Sequence, residues 1–254
     1  RQRPEHFNQS VALEVPAALD MDALNAVLAS LLHAHDALRL RFAATNARYG
    51  ELPGSVGLSF HDVSQLPAQW RRSETERIAA QIKASLDLQR GPLLRVALFD
   101  GIVEGRRLLL LTAHHLAIDT VSWRILLADL EQLYGRWRRG EALRLPPKTT
   151  SFQYWAQRLV KAADSGMFEA ERAYWARAEL RAAPALPLDF ERGPNDAASR
   201  RQSNFELSRE RTWQLLERTH AAYRTHVEEL LLCALLRAYE SWSGKSQLPV
   251  ALAQ

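Results

Sequence analysis

Sulfur chemistry is nearly absent from these 254 residues, which hold one cysteine, Cys233, and two Met. A lone thiol cannot build an internal disulfide framework or a multi-thiolate metal site. Long apolar runs are missing too: none reaches the ~18 residues that a membrane-crossing helix requires. The polar start Arg1-Gln2-Arg3-Pro4-Glu5 has no secretory layout, so the expectation is a cytoplasmic protein with no membrane partner. Charge of one sign is also scarce, since 33 Lys+Arg face 29 Asp+Glu and leave a net charge of +4. The basic clusters Arg71-Arg72 and Arg136-Trp137-Arg138-Arg139 are short and carry no regularly spaced stacking aromatics. They argue against a nucleic-acid partner and suit an acidic protein surface equally well. No Gly-rich phosphate loop and no Gly-x-Ser-x-Gly turn occurs, which leaves nucleotide-dependent and serine-hydrolase chemistry without support.

What is present is core-forming material. Hydrophobic residues make up 47% of the chain, and a chain of this length buries roughly 70–75% of its unfolded surface on folding. Two periods alternate along it, as expected of an α+β fold. A strand is expected over residues 6–15. Residues 20–35 place Leu24, Val27, Leu28, Leu31 and Leu32 on one helical face, and Leu38-Arg39-Leu40-Arg41-Phe42 then alternates as a half-buried strand. Gly50, Pro53 and Gly54 mark a loop or hairpin turn. A helix is expected over 70–85 with Ile78 and Ile82 inward. Two extended runs, 93–99 and 106–113, flank Asp100-Gly101 and read as an antiparallel hairpin. The run from Leu108 to Ala113 is apolar without alternation, as in a strand buried on both faces.

Helices are expected over 121–137, 151–163 and 167–181. Residues 182–200 carry three Pro and one Gly and read as a linker between a first lobe, 1–181, and the start of a second, 201–254. The second part should contain a strand at 203–207, helices at 208–219 and 225–243, and a strand start at 248–252. Cys233 falls on the apolar face of the last helix, a core position.

The residues best placed for chemistry are His114-His115, at the end of the buried strand and just ahead of Asp119 and a helix. Side chains alternate along a strand, so the two rings point to opposite sides and cannot readily chelate one metal. One can be locked by hydrogen bonds while the other moves a proton. Asp119 has two readings. It caps the following helix, or it forms an ion pair with Arg39, or else Arg41, whose loss on one side would cost ~3–5 kcal/mol. His33, His35 and His226 lie in helices or at their ends, without clustered ligands, and read as solvated or capping residues.

The string His114-His115-Leu-Ala-Ile-Asp119-Thr-Val-Ser122-Trp123-Arg124-Ile-Leu resembles the HHxxxDG motif of the condensation-domain superfamily of nonribosomal peptide synthetases. Its continuation Ser122-Trp123-Arg124-Ile125-Leu126 looks like the epimerization branch. His6-Phe7-Asn8-Gln9-Ser10, the stretch from His35 to Phe42, Pro146-Pro147-Lys148-Thr149-Thr150-Ser151-Phe152, and Ala222-Tyr223-Arg224-Thr225 before Glu228-Glu229-Leu230 resemble the same family. The resemblance implies a chloramphenicol-acetyltransferase-like two-lobed fold, of which this chain would hold the first lobe and the beginning of the second. It implies an isomerase that inverts the α-carbon of an aminoacyl or peptidyl thioester. The substrate would ride on the 4'-phosphopantetheine of a peptidyl carrier protein, beside adjacent synthetase domains, with no cofactor bound by the domain itself. His115 matches the family's acid/base position, and His114 and Asp119 match its structural positions. The partner acid would be a Glu in an EGHGRE-type motif beyond Gln254. Thr120 stands where the family has Gly. A peptide-bond-forming condensation domain and a noncatalytic carrier-docking domain are the alternative functions.

Overall fold

The computed structural model describes residues 7–43, 46–52, 57–177, 186–190, 192–193, 199, 201–219, 222, 224–250 and 252. Chain packing divides it into two compact units, Arg1–Val160 and Lys161–Gln254. Residues 182–185, 191, 194–198 and 200 of the expected linker lie outside the described residues.

The first unit is built on a four-stranded sheet. Strand β1 (Asn8–Pro16) pairs antiparallel with β6 (Arg106–His114), β6 pairs antiparallel with β5 (Leu94–Val103), and β5 pairs parallel with β4 (Leu58–Asp62). Helix α1 (Met21–Ala34) starts where Asp20 accepts hydrogen bonds from the Asp22 and Ala23 N–H groups at 2.8 and 3.1 Å, a side-chain cap that satisfies orphan donors. Its periodic face, Leu24, Val27, Leu28, Leu31 and Leu32, is buried as the spacing predicts. That face packs with Leu94, Val96 and Leu98 of β5, Leu109, Leu111 and Ala113 of β6, and Leu126, Leu130 and Leu133 of α3 (Thr120–Arg138). Ala97, Phe99 and Leu110 point to the other side, where Ile78, Ala79 and Ile82 of α2 (Ala68–Ala84) cover them. The Leu108-to-Ala113 run is therefore sandwiched between helices, which is why it carries no polar alternation.

The Asp100-Gly101 turn is a correction. Strand β5 continues to Val103, and the chain reverses at Glu104-Gly105, with Val103 opposite Arg106. Gly101, at φ +86°, instead lies where the β5–β6 register slips between Phe99 and Val103. A Cβ there would meet the Ser64 backbone nitrogen at 2.4 Å, so this glycine serves a bulge in close backbone contact rather than a turn. The strand expected over 38–42 is also shorter. Residues Asp36–Arg39 form a 3₁₀ turn, and β2 (Leu40–Phe42) then pairs with β3 (Ala47–Tyr49) as a small hairpin.

Helices α4 (Phe152–Asp164) and α5 (Glu169–Trp175) follow α3. In the second unit, α6 (Arg209–Trp213) continues into a π turn, Gln214–Arg218, and α7 (Val227–Ser243) is capped by His226 and Glu229. Three expectations fail there. Residues 203–207 form no strand, nor do 248–250 and 252; no neighbouring strand among the described residues supplies the ladder that a strand needs. Cys233 is exposed, as are Leu231 and Leu235 on the same helix, because nothing described in that unit covers this apolar face. No helix among the described residues is long and apolar enough to cross a membrane.

Candidate active site

Strand β6 delivers the two histidines to the loop that leads into α3. The end of the strand is held from both flanks: the His114 N–H donates to Leu93 O and the His115 N–H to Phe7 O, each at 2.9 Å. His115 already lies past the end of β6 and both rings contact Phe7, yet the two rings differ in burial and hydrogen bonding. His114 is 1% exposed, and its Nδ1 accepts the Leu116 N–H at 3.1 Å. A nitrogen that accepts carries no hydrogen, so the neutral ring holds its proton on Nε2. His114 thereby braces the loop from inside.

His115 is half-buried and is held on three sides. Its ring stacks on Phe7 with centroids 4.7 Å apart and planes at 20°. Its Nδ1 lies 2.9 Å from Ile118 O, and a carbonyl only accepts, so Nδ1 carries a hydrogen. Its Nε2 lies 3.1 Å from Gln9 Nε2. The Trp123 indole N–H, a donor only, lies 2.9 Å from Gln9 Oε1 and sets which end of the amide faces the imidazole. The Gln9 NH₂ group therefore donates to His115 Nε2. Every constraint on the ring agrees on one tautomer, with Nδ1 protonated and a lone pair on Nε2. That tautomer makes Nε2 the basic nitrogen, with its lone pair held by the Gln9 N–H in this structure.

Register explains why Gln9 is there. Gln9 lies opposite Ala113 on β1 and β6, so it shares a sheet face with the residue two positions before His115. Trp123, 7% exposed, approaches from the first turn of α3. Gln9 and Trp123 lie in stretches that carry the family resemblance, yet their contact with His115 was not legible. It depends on a strand pairing between segments about a hundred residues apart.

Asp119 resolves to the first of its two readings. Its carboxylate accepts from the Ser122 N–H at 2.7 Å and Ser122 Oγ at 2.5 Å and caps α3. The expected ion pair with Arg39 is not formed. Arg39 donates to Asp36 at 2.5 Å, and Asp36 is also bound by Lys148. The i,i+3 neighbour on the same 3₁₀ turn takes this guanidinium, whereas Asp119 is exposed and engaged locally. Arg41 turns back onto Arg39 O and Leu40 O at 3.2 and 3.1 Å. Thr120 is the exposed first residue of α3, and Arg224 is the sole non-glycine with positive φ among the described residues. A side chain at position 120 therefore costs no backbone strain.

The Ser122 hydrogen bonds hold the Asp119 carboxyl below the usual carboxylate range. A folded-state value below the unfolded one means the stabilisation is present above the unfolded value and is lost as pH falls through the folded one. Asp119→Ala is expected to cost about 1 kcal/mol, the usual worth of a cap, rather than the ~3–5 kcal/mol of a broken buried pair. Urea unfolding near neutral pH reads the difference, and the gap between the two proteins should close as the medium becomes acidic.

His35 caps the end of α1, one of the roles expected for it, and makes a further contact as well. Its Nε2 lies 2.8 Å from Asp129 Oδ2 on α3. It lines a recess of about 140 Å³ together with Ala117, Ile118 and Ser122, directly beside the histidine loop. It also lines a wider cleft of about 380 Å³ bordered by Tyr49, Asp129, Lys148 and Phe152.

Comparison with known proteins agrees with this layout. The family model described as "Condensation domain" matches residues 1–253. One of the linear gramicidin synthase proteins of Brevibacillus parabrevis is 40% identical over 255 residues, covering 98% of this chain and 5% of that protein. One of the plipastatin synthase proteins of Bacillus subtilis (strain 168) is 36% identical over 254 residues, covering 97% of this chain and 10% of that protein. The chain thus spans a small part of the curated relatives it matches. Among solved structures, the epimerization domain from the third module of tyrocidine synthetase B superposes with a TM-score of 0.85 at 31% identity, covering 96% of this chain and 56% of that one. The first condensation domain of the calcium-dependent antibiotic synthetase superposes with a TM-score of 0.72 at 24% identity, covering 96% of this chain and 58% of that one, a likeness of fold. With that family model matching it over residues 1–253, the chain, with its paired-histidine loop between a buried strand and a capped helix, belongs to the condensation-domain family.

Proposed function

We propose that the chain is part of an epimerization domain of a nonribosomal peptide synthetase, an isomerase that inverts the α-carbon of an aminoacyl or peptidyl thioester. The observation that carries the proposal is the state of His115, an imidazole protonated on Nδ1 whose Nε2 lone pair is held by the Gln9 N–H in a braced loop. The likeness to the tyrocidine epimerization domain and the Ser122-to-Leu126 stretch favour inversion over peptide-bond formation. In this reading the thioester acidifies the substrate α-hydrogen. Once the substrate displaces the Gln9 N–H from His115 Nε2, the Cα–H bond breaks, its electron pair enters the thioester enolate, and the proton moves to that nitrogen. A single imidazole serves one face of the carbanion. Inversion therefore needs a second acid on the opposite face.

The substrate arrives on the 4'-phosphopantetheine of a peptidyl carrier protein, with neighbouring synthetase domains as further partners in the cytoplasm. Incubating an L-aminoacyl carrier protein with the full-length protein, followed by chiral analysis of the released amino acid, tests the assignment. D-amino acid without dipeptide is expected. Dipeptide formed from an added acceptor, without inversion, would assign the chain to the peptide-bond-forming branch instead. A carrier-bound substrate that keeps its α-hydrogen in deuterated solvent and forms no dipeptide would leave a docking role.

A further inference from the structure

Buried polar contacts around His115 carry information beyond the identity of the base. We propose that Gln9 and Trp123 act together as positioning residues that fix the resting tautomer of His115, with Nδ1 protonated and the single Nε2 lone pair held by the Gln9 N–H, which the substrate must displace before Nε2 can receive its proton. The role in proton transfer rests on the function proposed above, whereas the hydrogen-bond assignment does not.

Donor and acceptor inventory fixes the arrangement. An indole N–H can only donate, so it holds the oxygen of the Gln9 amide at 2.9 Å. The opposite end of a primary amide can only donate, so the group 3.1 Å from His115 must meet a lone pair. The far side of the imidazole is independently fixed by Ile118 O at 2.9 Å. Turning the amide over would set its NH₂ group against the Trp123 N–H, two donors face to face, on an indole that is only 7% exposed. Phe7, stacked at 4.7 Å, keeps the ring in the plane in which both contacts are made. Trp123 thus acts on the imidazole through Gln9. The β1–β6 register brings Gln9 into reach, with Gln9 across from Ala113.

Substitutions that keep shape and reverse hydrogen-bond polarity separate this role from packing. Gln9→Glu is nearly isosteric, and its carboxylate satisfies Trp123 while offering only an acceptor to His115. Nε2 must then carry a hydrogen, and because Ile118 retains the hydrogen on Nδ1, the ring becomes doubly protonated.

The measurement is the ¹⁵N spectrum of histidine-labelled full-length protein near neutral pH, with the His115 signals identified by their loss in His115→Asn. The wild type is expected to show Nδ1 protonated and Nε2 not. Gln9→Glu is expected to show both nitrogens protonated and to slow α-carbon hydrogen exchange by ~10²-fold, since Nε2 then carries its own hydrogen and has no lone pair to receive another. In Gln9→Leu, loss of the donated hydrogen bond should move the Nε2 signal downfield and leave Nδ1 unchanged. A wild-type ring protonated on Nε2, a folded Gln9→Glu protein with the wild-type ring pattern, or an Nε2 signal indifferent to Gln9→Leu would overturn the proposal. If the ring signals respond as expected while His115→Ala leaves exchange intact, the hydrogen-bond assignment stands and the catalytic reading fails.

Discussion

Replacing His115 by Ala is expected to slow deuterium exchange at the α-carbon of the carrier-bound substrate by ~10²–10⁴-fold, the usual worth of a positioned general acid or base. Geometry makes the expectation specific. His114 cannot substitute for the lost ring, because it is buried and its Nδ1 is committed to the Leu116 N–H. His35 is engaged by Asp129 of α3. Folding should be little disturbed by comparison, since His115 is half-buried and the backbone bonds from its N–H to Phe7 O and from the Ala117 N–H to His114 O do not need the side chain. The exchange assay should therefore be paired with an unfolding curve. Near-normal exchange in a folded His115→Ala protein would remove the imidazole from the chemistry. A collapse of both exchange and stability would mean that the ring serves the loop rather than the substrate.

The second large effect concerns the strand that presents the site. Leu111→Ala is expected to destabilise the protein by about 2–5 kcal/mol, the range for truncating a fully buried leucine, with a lower urea midpoint. Leu111 is 0% exposed and sits between Val11 on β1 and Val96 on β5, so the cavity is bounded by backbone on both flanks and cannot easily collapse. Leu116, five residues on and 50% exposed, supplies the contrast. Leu116→Ala should stay within about 0.5 kcal/mol of wild type. Equal losses at the two positions would contradict the burial assigned to them.

Much of this organisation was legible in the residues. The 3.6-residue spacing of Leu24, Val27, Leu28, Leu31 and Leu32 marked both α1 and its buried face. The unbroken apolar run of β6 announced a strand covered on both sides, and α2 and α1 with α3 cover it. The failures share a physical origin. Asp100-Gly101 has the chemistry of a turn because glycine takes positive φ without penalty, but a bulge asks for the same conformation. Which one forms depends on the neighbour, here Ser64. Arg39 and Asp119 were plausible partners by charge alone, yet charge names no partner, and Asp36 is nearer along the chain.

Local pattern along the chain was enough to establish which faces are apolar, where the paired histidines stand relative to strand and helix, and the family they belong to. Periodicity reports the burial of a residue against its own element's axis, and that information is carried within a dozen positions. It contains nothing about which strand lies alongside which. Only the tertiary structure decided that β1 runs beside β6, that Gln9 and Trp123 converge on His115, and that Nε2 is the nitrogen left with a lone pair. Those facts depend on donors and acceptors meeting across more than a hundred residues of chain.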